Sequence, residues 1–215
     1  MNDVSNQTAQ LSDPAAPRRA RIPLLCPEDM SQEQRGIYDS VMAGPRGRMI
    51  GPLLAAIHSP ELALLWSRFG EYLRFRTCLP KKLNELAILV CGRRWTSQVE
   101  WWVHSRVAED TGLSTDAIDA IRAGTAPAFA SGAELEVYEF ARNLQLTGQV
   151  PADVHTAIVA RWGVPGVVEL TAVVGYYTLV AMTLNAHEIP VPAEVDEPLP
   201  RRDALFVLPP GRLAA

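Results

Sequence analysis

A chain of 215 residues, 48% hydrophobic and 20% charged, has the composition of a globular protein with a substantial core, which excludes a disordered or fibrous one. Its formal net charge is −4 and its 20 basic residues are dispersed in short doublets, which excludes an electrostatic grip on nucleic acid or an anionic membrane surface. Cys26, Cys78 and Cys91 form no CxxC and no metal-finger spacing, and the N-terminal stretch carries no apolar signal segment, so a reducing, cytoplasmic setting is expected.

Residues 1–22 read as a polar arm ending in the basic cluster Arg18, Arg19 and Arg21. Ser31 with Gln34 makes a capping box, so the first helix is expected to start there and to end near Gly44. The Gly- and Pro-rich PRGRMIGP follows as a loop, and then apolar residues recur at helical spacing around a Ser59-Pro60 helix start. A helix opens at Pro80 and runs through KKLNELAILVCGRRW. The next spans Ser97 to Thr111, with Gly112 closing it, and a short one runs from Ser114 to Gly124. TAPAFASG reads as a loop, and residues 134–146 and 152–162 as amphipathic helices. Residues 164–186 form a last, almost wholly apolar helix. Pro165, Glu169, Gly175 and two tyrosines interrupt it, which marks a buried helix rather than a membrane span. The tail, 190–215, is rich in proline and expected to be extended.

No segment alternates with period two for long enough to specify a strand. The expectation is therefore all-α: one helical domain over residues 23–189 with extended arms. The apolar last helix and partly apolar tail carry more apolar surface than one small bundle hides, which points to a homo-oligomer.

The stretch WTSQVEWWVH, from Trp95 to His104, crowds three tryptophans around a glutamate and a histidine. At about 100° per residue, Ser97, Glu100, Trp101 and His104 share one helix face, with Glu100 and His104 four apart and able to interact. On the preceding helix Glu85 aligns with Ile88, Leu89 and Gly92, and a tight turn near Thr96 would bring it against His104. A carboxylate there would fix the imidazole tautomer and raise its pKa, which suits general acid–base work; a satisfied core pair is the plainer alternative. His58 and His187 read as cap or helix-end residues and His155 as surface. The single ExxxH lacks the paired ExxH repeat of di-iron bundles, so no metal site is expected. Neither a GxSxG elbow nor a phosphate loop nor a dinucleotide fingerprint is present, which favours cofactor-free chemistry or none.

The run ELAILVCGRRWTSQVEWWVH, continuing as SRVAEDTGLSTDAIDAIRAG, resembles the carboxymuconolactone decarboxylase family over roughly Gly51 to Glu188. That family shares an all-helical fold with the alkyl hydroperoxidase-like thiol proteins. In the thiol-dependent branch a CxxC precedes the histidine, and the resemblance puts its two positions at Ser97 and Glu100, where both sulfurs are missing. The resemblance therefore implies a decarboxylase-type lyase rather than a thiol peroxidase. It would act on a small carboxylate or lactone and need no cofactor, because electrons left by the carboxyl group can delocalise into a conjugated lactone carbonyl. On this reading His104 is the acid, Glu85 orients it, and Glu100 presses on the departing carboxylate or serves as a second proton carrier. Arg93, Arg94 or Arg74 would hold substrate carboxylates, while Trp101 and Tyr176 wall the pocket with Ser97 beside them. A proton-transfer isomerase or cyclase in the same site, or a non-catalytic oligomeric binding protein, are the alternatives.

Overall fold

Ser31 opens the first helix as its spacing requires: its hydroxyl accepts from the Gln34 amide (3.2 Å) and the Gln34 side chain accepts from the Ser31 amide (2.9 Å). In the computed structural model, which describes residues 20–201 and 204–214, this helix is α1 (Gln32–Ala43), preceded by a 3-10 turn at Pro27–Asp29. Arg18, Arg19 and most of the expected N-terminal arm lie outside the described residues, as does Arg202. The glycine loop after α1 leads to α2 (Leu53–Ala56) and α3 (Pro60–Phe75).

α4 (Lys81–Arg94) is the centre of the fold, because every residue from Leu83 to Arg93 is buried. A helix without a polar face has to be enclosed on all sides. α5 (Gln98–Asp110), α7 (Gly132–Thr147) and α8 (Ala152–Ala186) do the enclosing. The turn from α4 into α5 closes through Ser97 N–H donating to the Gly92 carbonyl at 2.8 Å, and Thr96 takes a left-handed φ of 49° to make it. Thus α4 and α5 form the tight hairpin expected near Thr96. α6 (Thr115–Ala123) ends at Gly124 in the left-handed conformation, and α7 starts with a second capping box, Ser131 with Glu134.

The expected division of the C-terminal end into two helices is present within α8, where they meet at Gly163, whose φ of 68° and ψ of −175° are not helical. The glycine supplies the break and Pro165 restarts the helix at its first turn. One expectation needs correcting: the TAPAFASG loop contains a two-residue strand, β1 (Ala128–Phe129), paired in parallel with β2 (Arg212–Leu213) of the tail. Its partner lies more than eighty residues away, so no local alternation could announce it.

The tail is extended but not loose. Leu199, Phe206 and Leu208 are buried, and the Gln98 side chain clasps the Leu199 backbone at both its N–H (2.9 Å) and its carbonyl (2.8 Å). α8 is long and apolar enough to cross a membrane by composition, yet half of its most apolar window is buried inside the fold, as suits a core helix.

Candidate active site

The α4–α5 hairpin brings Glu85 and His104 together. Glu85, wholly buried, accepts from His104 Nδ1 at 2.6 Å, and its other oxygen pairs with Lys81 Nζ, one turn earlier on α4, at 2.8 Å. Burial opposes the Glu85 charge, but the bond from His104 Nδ1 and the Lys81 ammonium outweigh it and hold the carboxyl below its ordinary value. For His104 the balance runs the other way. Burial lowers its pKa below the ordinary imidazole value, and the pull of Glu85 in the opposite direction does not overcome it. The expected rise is therefore reversed, because the whole ring is desolvated while the carboxylate meets it at one nitrogen. A neutral imidazole with its proton on Nδ1, given to Glu85, leaves Nε2 as a basic nitrogen with no protein partner among the described residues. Tyr177 stands edge-on to the ring at 5.0 Å and Tyr176 stands edge-on to Tyr177 at 5.3 Å.

One turn before His104, Glu100 is only 2% exposed, and neither of its carboxyl oxygens has a hydrogen-bond partner among the described residues. Burial drives its pKa well above the ordinary carboxyl value, opposed by the neighbouring Ser97 hydroxyl. Burial therefore favours the protonated form of Glu100, the form able to donate a proton. Gly92 of α4 faces Glu100 across the hairpin, where a side-chain carbon would sit in ordinary contact, 3.5 Å from Glu100 Cβ.

Glu100 and His104 line one small, open-mouthed cavity of about 50 Å³. Its polar lining is completed by Arg46, Arg74, Tyr176 and Tyr177, while Ile50, Val99, Val103, Val180 and Leu184 give it an apolar body. An apolar body with a few convergent polar groups is the character of a small-molecule site. Among the described residues no group of three or more His, Cys, Asp or Glu is placed to hold a metal ion.

Of the residues singled out in the sequence, Glu100, His104, Arg74 and Tyr176 meet at this cavity, with Glu85 behind His104. Trp101 does not line it; 2% exposed, it packs into the core. Ser97 is buried at the start of α5. Arg93 and Arg94 face the tail instead: Arg93 stacks on the Phe206 ring at 3.6 Å, and Arg94 Nη1 donates to the Phe206 carbonyl at 2.9 Å. The last turn of α4 is where the returning tail docks, and the two arginines are spent there. Sequence reasoning missed Arg46 and Tyr177. Arg46 lies in a glycine loop with no periodicity to phase it, whereas Tyr177 could have been found by its place beside Tyr176. The thiols offer no nucleophile at the cavity: Cys91 is buried, with its pKa pushed well up by burial and then by Glu100.

No protein-family model matches the chain and no curated protein matches it. Solved structures do. An alkylhydroperoxidase AhpD core, a peroxidase-related protein from Ralstonia eutropha JMP134, superposes with a TM-score of 0.68 over 83% of this chain and 95% of its own, at 12% identity. A peroxidase-related protein from Silicibacter sp. TM1040 gives 0.65 over 81% and 93%, also at 12% identity. A cysteine-to-alanine variant of the debrominase Bmp8, solved with 2,3,4-tribromopyrrole, gives 0.61 over 75% and 87%, again at 12% identity. The all-helical fold of this chain is thus that of the AhpD core; identity at that level speaks to fold and not to activity.

Proposed function

We propose that the protein is a carboxymuconolactone decarboxylase-like lyase that removes a carboxyl group from a small unsaturated carboxylate or lactone by acid–base chemistry. The observation that carries this reading is a pair of buried carboxyls in opposite surroundings within one hairpin: Glu85 is met by His104 and Lys81, whereas neither oxygen of Glu100 has a hydrogen-bond partner among the described residues and burial favours its protonated form. Environments that drive two like groups apart assign an acid and an orienting charge. In this scheme carbon dioxide leaves, its bonding electrons pass into the conjugated carbonyl, and Glu100 gives its proton to the carbon left behind. The Glu100 carboxylate recovers a proton from solvent by way of His104 Nε2. The donor to carbon is therefore Glu100 rather than His104, because a desolvated imidazole committed at Nδ1 holds no standing proton at Nε2 and only passes one on after the carboxylate has formed.

Purified protein should release carbon dioxide from an unsaturated carboxy-lactone. Glu100→Gln and His104→Ala should each lower kcat by about 10²–10⁴-fold, the usual worth of a positioned acid or base. Activity needs His104 neutral and Glu100 protonated. The pH–rate profile should therefore fall on the acid side below the ordinary imidazole value and on the alkaline side well above the ordinary carboxyl value. Full turnover in both variants would sink the assignment. Thiol-dependent consumption of peroxide should be absent, since Ser97 and Glu100 stand at the resemblance's cysteine positions.

A basic Nε2 beside a neutral acid on one helix face also suits isomerisation, in which one group removes a proton and the other returns one. Incorporation of solvent deuterium into a lactone without loss of carbon dioxide would favour that second reading.

A further inference from the structure

Arg46 occupies the loop between α1 and α2, where Gly47 (φ 60°) and Gly51 (φ 64°) turn the backbone. It is half-buried, and none of the ion pairs among the described residues includes it. Its Nε and Nη2 are shielded from solvent and make no well-formed hydrogen bond among the described residues; the Tyr176 hydroxyl beside it is the one neighbouring group that interacts with it. A guanidinium is always charged and always a donor, so burying its N–H groups without acceptors is unfavourable unless something else accepts from them. The surrounding structure keeps this arrangement open. A side-chain carbon on Gly70 of α3 would collide with both the Tyr176 hydroxyl and Arg46 Nη2, so the absence of a side chain there is what lets these two groups stand side by side. The Tyr176 hydroxyl in turn donates to the Trp66 carbonyl at 3.4 Å.

The charges around the cavity leave Arg46 unanswered. Glu85 is engaged by Lys81 and His104, and burial favours the uncharged form of Glu100, the other acid at the site. Arg74 lines the same space and also has a shielded Nε without an acceptor. A cavity with two guanidinium groups and no carboxylate free to neutralise them selects an anion.

We propose that Arg46, held over Gly70 beside Tyr176, is the anchor that recognises a carboxylate group of the ligand in the cavity shared by Glu100 and His104. The planar fork of a guanidinium matches a carboxylate through two parallel hydrogen bonds, which a lysine at this place would not reproduce. The anchor rests on the proposed site but is read by binding alone, so it stands or falls separately from the chemistry.

The probes are 2-furoate, a five-membered unsaturated ring bearing a carboxylate, and its uncharged methyl ester, each titrated into the full chain by isothermal calorimetry. Saturable binding of 2-furoate at least tenfold tighter than the ester is expected in the wild type. Arg46→Gln should weaken furoate at least tenfold, about 1.4 kcal/mol, while leaving the ester unchanged. Gly70→Ala, which removes no charge, should weaken furoate by displacing Arg46 and Tyr176, with thermal melting confirming that the variant folds. Equal binding of acid and ester, no saturable binding of furoate, or undiminished furoate binding in Arg46→Gln would overturn the anchor. Loss of turnover in His104→Ala with furoate binding intact would leave it standing, whereas turnover without any furoate discrimination would remove the anchor and keep the acid–base reading.

Discussion

At the scale of single residues, Glu100 is the costliest feature of the fold. In the unfolded chain it ionises near the ordinary value of 4.5, whereas in the native state burial keeps the proton on. The folded state therefore binds more protons than the unfolded one between those two values, and stability contributed by this group falls as pH rises from about 4.5 towards its raised folded pKa. A glutamine has the same shape and no such dependence. Glu100→Gln is expected to raise Tm at pH 8 more than at pH 5, and each kcal/mol relieved should appear as about 2–4 °C in a chain of this size. Calorimetric melts at the two pH values check it; an equal or lower Tm at pH 8 would mean that the carboxyl is ionised and satisfied in the fold. A stabilising substitution that abolishes activity would be the signature of a residue retained for chemistry.

At the scale of elements, the hairpin of α4 and α5 explains how much of the site could be read directly. Glu85 and His104 lie on consecutive helices joined by a tight turn, so phasing each helix was enough to bring them together. Arg93 and Arg94 were misplaced because their partner, the tail, arrives from residues 199–214 and nothing in the helix itself signals it. The tail is held by the Arg93–Phe206 stack, the Gln98–Leu199 clasp and the Tyr138 hydroxyl donating to the Pro209 carbonyl at 2.7 Å. Phe206 also rests directly against Gly124. Phe206→Ala should therefore destabilise the chain by about 3–5 kcal/mol, the usual cost of emptying a buried phenylalanine site. Urea unfolding measures this. A change below about 1 kcal/mol, on the scale of an exposed surface substitution, would show that the tail contributes little to the fold.

At the scale of the whole molecule, α3 and α8 pack against each other and each exposes apolar residues. Leu62, Leu65 and Phe69 recur along α3, and Val164, Val168, Leu179 and Met182 along α8, all between 44% and 65% exposed. Such residues at helical spacing on neighbouring helices make a continuous face rather than scattered surface side chains. Self-association, expected from the composition, is proposed to use this face, with a second copy of the chain covering it. Sedimentation velocity should then show a species of more than one chain that Leu65→Glu shifts towards the monomer. A monomeric wild type would refute the proposal.

The sequence by itself determined the helices, their ends and the meeting of Glu85 with His104. The capping box at Ser31, the glycine stop at Gly124 and apolar periodicity are all settled within a few residues of chain, whereas the cap at Ser131, ahead of the expected helix start at Glu134, shows only in the structure. Only the tertiary structure decided which charged groups face the cavity and which way their protons shift. Arg46 enters from a loop, Arg93 and Arg94 turn to the tail, and His104 and Glu100 take their protonation states from the whole shell that excludes water around them. Helix formation is a local balance of backbone hydrogen bonds and side-chain spacing, whereas desolvation belongs to the enclosed volume and comes into being only when distant parts of the chain have closed around it.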